Sequence, residues 1–371
     1  MCMNDRNVIV REATFEDHLQ LFRLFHRRGL LKNEKYDYQQ SEDDPYYYRW
    51  LDYWKANPAT NIIKRHWPIG WVVENEEKKI VGCLMNIPYV YEFKGKEIIV
   101  ACGNGFSVDP EYSKYSLYLR AEQIKQKGVD IILTSTAATK VRKILEGYGF
   151  IQPPDNSFKK RYLFYIDYDI LYKNPIDKLM HKINHRINKK NIFAFKSIGD
   201  YDVVQINKVN DDFNVYWNLL KKRNNRFHFR RDADNLRWLL HYNFSMERAR
   251  MFIMKNNGKF YGYAIFFHDY DSAKNIKYSK LVDLQLIDEE NTDLGPLFNA
   301  AIKQLKADNV QRIDVRGFNK SKRRLIENLL PFSRLETTSP YLYKIINPEL
   351  KEELSNPEVW DACLAEGDTL V

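Results

Sequence analysis

The sequence predicts an α/β (α+β) protein of two units, each a mixed, mostly antiparallel sheet flanked by helices. Three observations carry that reading. At 371 residues the chain exceeds one ordinary domain of roughly 150 residues and suits two. Its 44% hydrophobic and 29% charged residues supply enough apolar material for real cores under a solvated surface. Four segments of the first half also recur, in the same order, at a displacement of roughly 180 residues. YRWLDYWKANPA at 48–59 is echoed by LRWLLHYNFS at 236–245, and WVVENEEKKIVGCLM at 71–85 by MFIMKNNGKFYGYAIFF at 251–267. The strand, corner and helix of SVDPEYSKYSLYLRAEQIKQKG at 107–128 are echoed at 281–309, and DIILTSTAATKVRKILEGYGF at 130–150 is echoed at 310–332.

Each element has a local reason. NVIVREAT reads as a strand and FEDHLQLFRLFHRRGLL as an amphipathic helix, with apolar residues near 3.6 spacing. A polar and aromatic insert follows. Residues 71–108 then read as two or three antiparallel strands joined by the turns ENEEKK and FKGKE. DIILTST is a short buried strand, and AATKVRKILEGYGF is a helix closed by Gly149 at a left-handed cap. Residues 175–190 place Ile176, Leu179, Met180, Ile183 and Ile187 on one helix face with Lys and Arg opposite. We read this as a connector at 173–200 between domains 1–172 and 201–371; the other reading is a helix lying on a membrane.

Composition narrows the function classes. No run of about 18 uncharged apolar residues is present, so no membrane span is read. The start lacks a basic segment followed by an apolar run, which sets a cytoplasmic expectation. Cys2, Cys83, Cys102 and Cys363 form no C-x-x-C pair and read as reduced thiols, with no metal site. A net charge of +9 suits acidic ligands such as CoA, a nucleotide sugar or nucleic acid, and suits a merely solvated basic surface as well. The 25 tyrosines supply both core packing and pocket walls for sugars or planar ligands.

The element order, with FSVDPEY at 106–112 and the helix ending in Gly149-Phe150, resembles the GNAT acyltransferase superfamily. The resemblance covers most of 7–152 and, more weakly, 203–346. FRRDADNLRW at 229–238 and the terminal EVWDACLAEGDTLV are similar to tandem, two-unit GNAT proteins of bacterial surface-polysaccharide synthesis. The implied cofactor is acetyl-CoA or another acyl-CoA. The implied partner is a small-molecule amine, in this context a nucleotide-linked amino sugar, with no nucleic acid expected.

That resemblance implies that the fourth and fifth strands splay, leaving Phe106, Ser107 and Val108 to bind pantetheine amides as an added strand. The loop Ser113, Lys114, Tyr115, Ser116, Leu117 and Tyr118 then meets the pyrophosphate at a helix N-terminus, with Thr139 and Lys140 at the next helix start. The family pattern is Arg or Gln followed by two spaced glycines. Here Ser113 stands at the first position and Ser116 and Tyr118 where the glycines belong, so hydroxyls and the Lys114 charge must compensate. The second copy keeps Gly295 before Pro296, but Asp288, Glu289, Glu290 and Asp293 repel a pyrophosphate, so the first copy is the expected cofactor site.

Thioester aminolysis needs a base, an oxyanion donor and an acid for the leaving thiolate. The family's acid position falls on Leu145, leaving nearby Tyr148 as the candidate acid. His66 and His228 are candidate bases, each also readable as a structural histidine. Asn104 and Ser107 suit orientation of water or acceptor, or else ordinary turn chemistry in CGNGF. Tyr46, Tyr47 and Tyr48 suit sugar stacking, whereas Trp50 and Trp238 read as packing. Arg230 and Arg231 suit a nucleotide diphosphate, the alternative being cations beside an N-cap at Asp232. Two other function classes stay open: an aminoacyl-tRNA-dependent transferase of the peptidoglycan-bridge type, and a non-catalytic CoA- or ligand-binding module.

Overall fold

Two segments that each follow a strand-rich half, YLFY at 162–165 and LYKI at 342–345, turn out to decide how the chain divides. The computed structural model describes residues 8–29, 52, 54–135, 139–167, 201–223, 225–245, 247–329, 333–338 and 341–366. The expected connector helix and Tyr46 to Tyr48 lie outside the described residues.

In chain order the first half gives β1 (Ile9–Glu12), α1 (His18–Arg27), α2 (Ala59–Ile62), β2 (Gly70–Glu74), β3 (Ile80–Phe93), β4 (Lys96–Val108), α3 (Tyr115–Lys125), β5 (Ile131–Thr134), α4 (Thr139–Gly147) and β6 (Lys160–Tyr165). The second half gives β7 (Tyr201–Ile206), α5 (Asp212–Arg223), β8 (His228–Phe229), α6 (Ala233–Ser245), β9 (Ala249–Asn256), β10 (Lys259–Asp271), β11 (Ile276–Leu286), α7 (Gly295–Ala307), β12 (Arg312–Arg316), α8 (Lys320–Leu329), β13 (Ser333–Thr337) and β14 (Leu342–Ile345).

Local chemistry explains the boundaries. Lys94 and Gly95 both take left-handed backbone (φ 51° and 78°), the two-residue turn that suits the twist of a hairpin between β3 and β4. The Asn75 side chain accepts the Glu77 and Lys79 amides and so shapes the β2–β3 turn. Gly149 sits at φ +80°, and the Phe150 amide donates back to the Leu145 carbonyl at 3.0 Å, closing α4 at the expected cap.

The chain forms two compact units. One comprises Met1–Pro153, Tyr341–Ser355 and Glu366–Val371; the other comprises Pro154–Pro340 and Asn356–Ala365. In the first unit the strand order is β1-β2-β3-β4-β5-β14, antiparallel except for the parallel pair β4–β5. In the second it is β7-β9-β10-β11-β12-β6-β13, antiparallel except for β11–β12. The sequence order places 341–366 with the second half and β6 with the first. Strand pairing instead gives β14 to the first sheet and β6 to the second. The first unit's core lies between α1 and the sheet, with Leu21, Leu24, Met85 and Val90 buried, and a second cluster of Val73, Leu84 and Leu119 lies under α3.

Candidate active site

The corner VDPEY is built from charge and a proline. Asp109 is buried and paired with Arg27 of α1 at 2.7 Å, while the same guanidinium donates to the Ile80 carbonyl at 2.7 Å. Pro110 opens a single 3₁₀ turn, which its missing N–H and fixed φ permit, and α3 begins three residues later. The side of β4 facing β3 remains paired through Val108. On the other side β4 pairs with β5 only over Val100–Cys102, opposite Ile131–Leu133. From Gly103 to Val108, β4 therefore presents an edge with no strand partner among the described residues, as the two strands diverge. Unpaired strand edges recruit extended ligands by hydrogen bonding.

A bulge lies within this free stretch. Cys83 faces Ser107 and Met85 faces Asn104, so β4 carries one extra residue. Gly105 supplies it at φ +56°, and a Cβ there would meet Phe25 Cζ at 2.9 Å. Beside it Asn104 is 8% exposed, and its Nδ2 has no hydrogen-bond partner. A buried donor left unmade costs about 1–3 kcal/mol, so the Asn104 amide is available to an acceptor.

The loop 113–118 departs from a bare phosphate cradle. The amides of Ser113, Ser116 and Leu117 donate to the carbonyls of Pro110, Ser113 and Lys114, and the Ser116 hydroxyl also donates to the Ser113 carbonyl. Instead of glycines the loop carries an aromatic run: Tyr115 and Tyr118 rings lie 5.7 Å apart, Lys114 Nζ sits 5.3 Å from the Tyr115 ring, and Tyr118 is 59% exposed. The Tyr148 hydroxyl donates to the Leu117 carbonyl at 3.0 Å, which joins the end of α4 to the first turn of α3. Thr139 and Lys140 open α4.

The remaining sequence candidates fall elsewhere. His66 is exposed and pairs with Glu12 at 2.7 Å. His228 is wholly buried against Trp217 with neither ring nitrogen partnered; burial first, then the Arg231 charge, pushes it well below the usual imidazole range. Arg231 is fully buried and committed to Asp283 at 2.8 Å, so its charge serves the core of the second unit and not a surface diphosphate. Arg230 pairs with Asp232, which caps α6 through the Asn235 amide at 3.0 Å, the alternative reading of that motif. Trp238 is buried, in keeping with packing. Cys83, Cys102 and Cys363 are buried thiols that form no disulfide, and no metal-binding cluster occurs among the described residues. No helix of the described residues is long and apolar enough to cross a membrane.

The second sheet repeats the divergence but fills it. β11 pairs with β12 only over Tyr278–Leu281. Beyond that point the segment Asp361–Ala365 enters: the Phe318 amide donates to the Ala362 carbonyl at 2.7 Å, and the Ala365 amide to the Val282 carbonyl at 3.0 Å. Cys363 bridges Gly317, whose φ of +87° and contact with the Ala362 carbonyl leave no room for a Cβ. Asp361 anchors the segment by accepting from Lys322, both fully buried, and from the Asn319 amide at 3.0 Å. Burial alone would raise that carboxyl; Lys322, then Arg226 and Arg231, hold it well below the usual carboxylate range. The acidic loop serves its own turn, Asp288 accepting from the Glu290 and Asn291 amides, while Glu289 pairs with Arg226. Elsewhere in the same unit Ser279, His268 and Asp308 form a line of hydrogen bonds at 2.7 and 3.0 Å, but Ser279 is fully buried within the sheet and reaches no substrate.

Two features escaped sequence reasoning. One is this returning segment. The other is a buried polar network under the free edge of β4, in which Arg120 donates to Gln123 Oε1 and Gln123 Nε2 donates to Asn86 Oδ1 at 3.1 Å. Neither has a sequence signal beyond a polar residue on a helix face.

No protein-family description and no curated protein matches the chain. Solved structures do. A GCN5-related N-acetyltransferase from Anabaena variabilis aligns at 11% identity over 92% of this chain and 73% of that one, with a TM-score of 0.56. N-myristoyltransferase of Saccharomyces cerevisiae with bound myristoyl-CoA aligns at 11% identity over 94% and 80%, with a TM-score of 0.54. A probable N-acyltransferase from Enterococcus faecalis aligns at 12% identity over 92% and 72%, with a TM-score of 0.57. The chain has the fold of these proteins over most of its length. The expected fold, two mixed sheets flanked by helices, is the observed one.

Proposed function

We propose that the chain is an acyl-CoA-dependent N-acyltransferase whose donor site is the open edge of β4. The observation that carries this reading is the contrast between the two sheets. β4 has a free edge over Gly103–Val108 with an orphaned buried amide beside it, whereas the matching edge of β11 is filled by Asp361–Ala365. We read the shared strand order as two copies of one unit, the one that holds β1–β5 binding the donor and the one that holds β7–β12 shaping the acceptor side or serving structure.

Bound acyl-CoA would supply an acyl group activated as a thioester. Phe106, Ser107 and Val108 would hold its pantetheine amides as an added strand. The Asn104 amide is the free donor for the thioester carbonyl oxygen, or for an ordered water that orients the amine acceptor. Tyr148 follows α4, and its hydroxyl, donated to the Leu117 carbonyl in the first turn of α3, would protonate a departing thiolate once that bond opens; His66 with Glu12, at the β1 edge of the sheet, is the remaining candidate base of this unit. Because three loop amides are already bonded, the Ser113–Tyr118 segment would meet a pyrophosphate through the Lys114 charge and the helix N-terminus. The acceptor class we propose is an amino sugar, nucleotide-linked, in the cytoplasm and in the service of surface polysaccharide.

Calorimetric titration with acetyl-CoA and longer acyl-CoA, followed by release of free thiol across a panel of amines that includes nucleotide-linked amino sugars, tests this. The expected result is one acyl-CoA bound per chain and thiol release with an amino sugar. No binding of any acyl-CoA overturns the reading, and binding without thiol release assigns the chain to the non-catalytic class.

A further inference from the structure

Four cationic side chains of the described residues are buried: Arg120, Arg231, Arg312 and Lys322, none more than 2% exposed. Three have a carboxylate. Arg231 pairs with Asp283 at 2.8 Å, Arg312 with Asp314 at 2.6 Å, and Lys322 with Asp361. Arg120 of α3 has none among the described residues; its guanidinium donates to the neutral Gln123 and lies 5.6 Å from each of the Phe106 and Phe150 rings. Aromatic faces do not replace a counter-ion in this molecule. Arg231 and Arg312 also lie over rings, those of Phe229 and Tyr278, and each still takes a carboxylate. Burial pushes Arg120 down to about 10, so it is still a cation at neutral pH. A buried charge without a partner is strongly unfavourable, and no carboxylate of the described residues completes this one, which leaves the place to a ligand.

The position of Arg120 says which end of a ligand meets it. A Cβ on Gly103 would come within 3.0 Å of Arg120 Nη1, and Phe106 covers the guanidinium; both residues belong to the free edge of β4. The Gln123 oxygen that Arg120 uses is itself fixed, because Asn86 accepts from Gln123 and donates to Gln126 at 2.9 Å and to the Pro68 carbonyl at 3.0 Å. A pantetheine lying along Phe106–Val108, with its phosphate end toward Ser113–Tyr118, points its acyl end toward Gly103. We propose that Arg120 is the receptor for a carboxylate at the far end of the donor's acyl group, making the preferred donor a short dicarboxylic acyl thioester. This deepens the acyl-CoA reading above and rests on it.

Succinyl-CoA and butyryl-CoA share a four-carbon acyl chain and differ in the terminal carboxylate. Titrated calorimetrically into the full chain, succinyl-CoA is expected to bind at least tenfold more tightly, since charge-assisted hydrogen bonds are the strong ones. Arg120→Met should bring the two affinities together, and Arg120→Lys should keep part of the difference. Where Arg120→Met does not fold, Arg120→Gln and the wild-type ratio carry the test. Equal affinities in the wild type, or tighter binding of butyryl-CoA, overturn the inference and leave the acyl-CoA reading standing. If neither thioester nor CoA binds, both fall.

Discussion

Gly105 shows how much one residue decides here. It supplies the extra residue of the β4 bulge in a left-handed conformation, and a side chain there would press on Phe25 from 2.9 Å. An L residue in that conformation costs about 1 kcal/mol, and the steric contact adds to it. Gly105→Ala should therefore lower stability by about 2 kcal/mol in a urea titration and weaken the proposed acyl-CoA binding, because the bulge aims Asn104 and Phe106. An alanine variant with wild-type stability and affinity would show the bulge to be unimportant. The glycine is visible in CGNGF, but its role is not, because a bulge is defined by the register of β3 opposite. Arg120 was not visible at all. An arginine on a helix is normally solvated, and only the packed position against Gly103 shows otherwise.

At the scale of elements, strands and helices were legible because their signals are local: the apolar period, the Lys94-Gly95 turn, the Gly149 cap. Partnerships were not. β6 and β14 have similar patterns, and nothing in YLFY or LYKI says which sheet each joins. The segment Asp361–Ala365 was read only as a similarity of sequence, while its place beside β11 depends on Lys322 some forty residues earlier. Removing Asp361 from this fully buried pair leaves Lys322 with Glu289 at 3.6 Å as its carboxylate, at a cost of about 3 kcal/mol, the low end for a broken buried pair. Asp361→Asn should thus destabilise the second unit by that amount in urea unfolding, and the double change Asp361→Leu with Lys322→Met should recover most of it. A single variant within about 1 kcal/mol of wild type would mean that the pair does not hold the segment.

Across the whole molecule, two buried imidazoles make stability depend on pH in a defined direction. In the unfolded chain a histidine binds its proton below about 6.5. In the folded chain burial first, then the Arg250 charge, lowers His268 to about 4, and burial, then the Arg231 charge, holds His228 well below the usual imidazole range. Between these values the unfolded state binds protons that the folded state refuses. The contribution is fully present above about pH 6.5 and drains away as the pH falls toward 4, on the order of 2–3 kcal/mol for His268. The depressed carboxylates Asp17, Asp269, Asp308 and Asp361 act lower, losing their contribution only below the ordinary carboxylate range. Acid also raises the positive charge of a chain that already carries +9, which pushes the same way, so the slope alone does not identify the histidines. A difference of slopes does. Urea unfolding at pH 7, 6, 5 and 4.5 should show wild-type stability falling steadily, and His268→Gln, which keeps hydrogen-bonding groups beside Ser279 and Asp308 but cannot titrate, should fall less steeply over the same range. Parallel slopes for the two proteins would remove His268 as a source of the acid sensitivity.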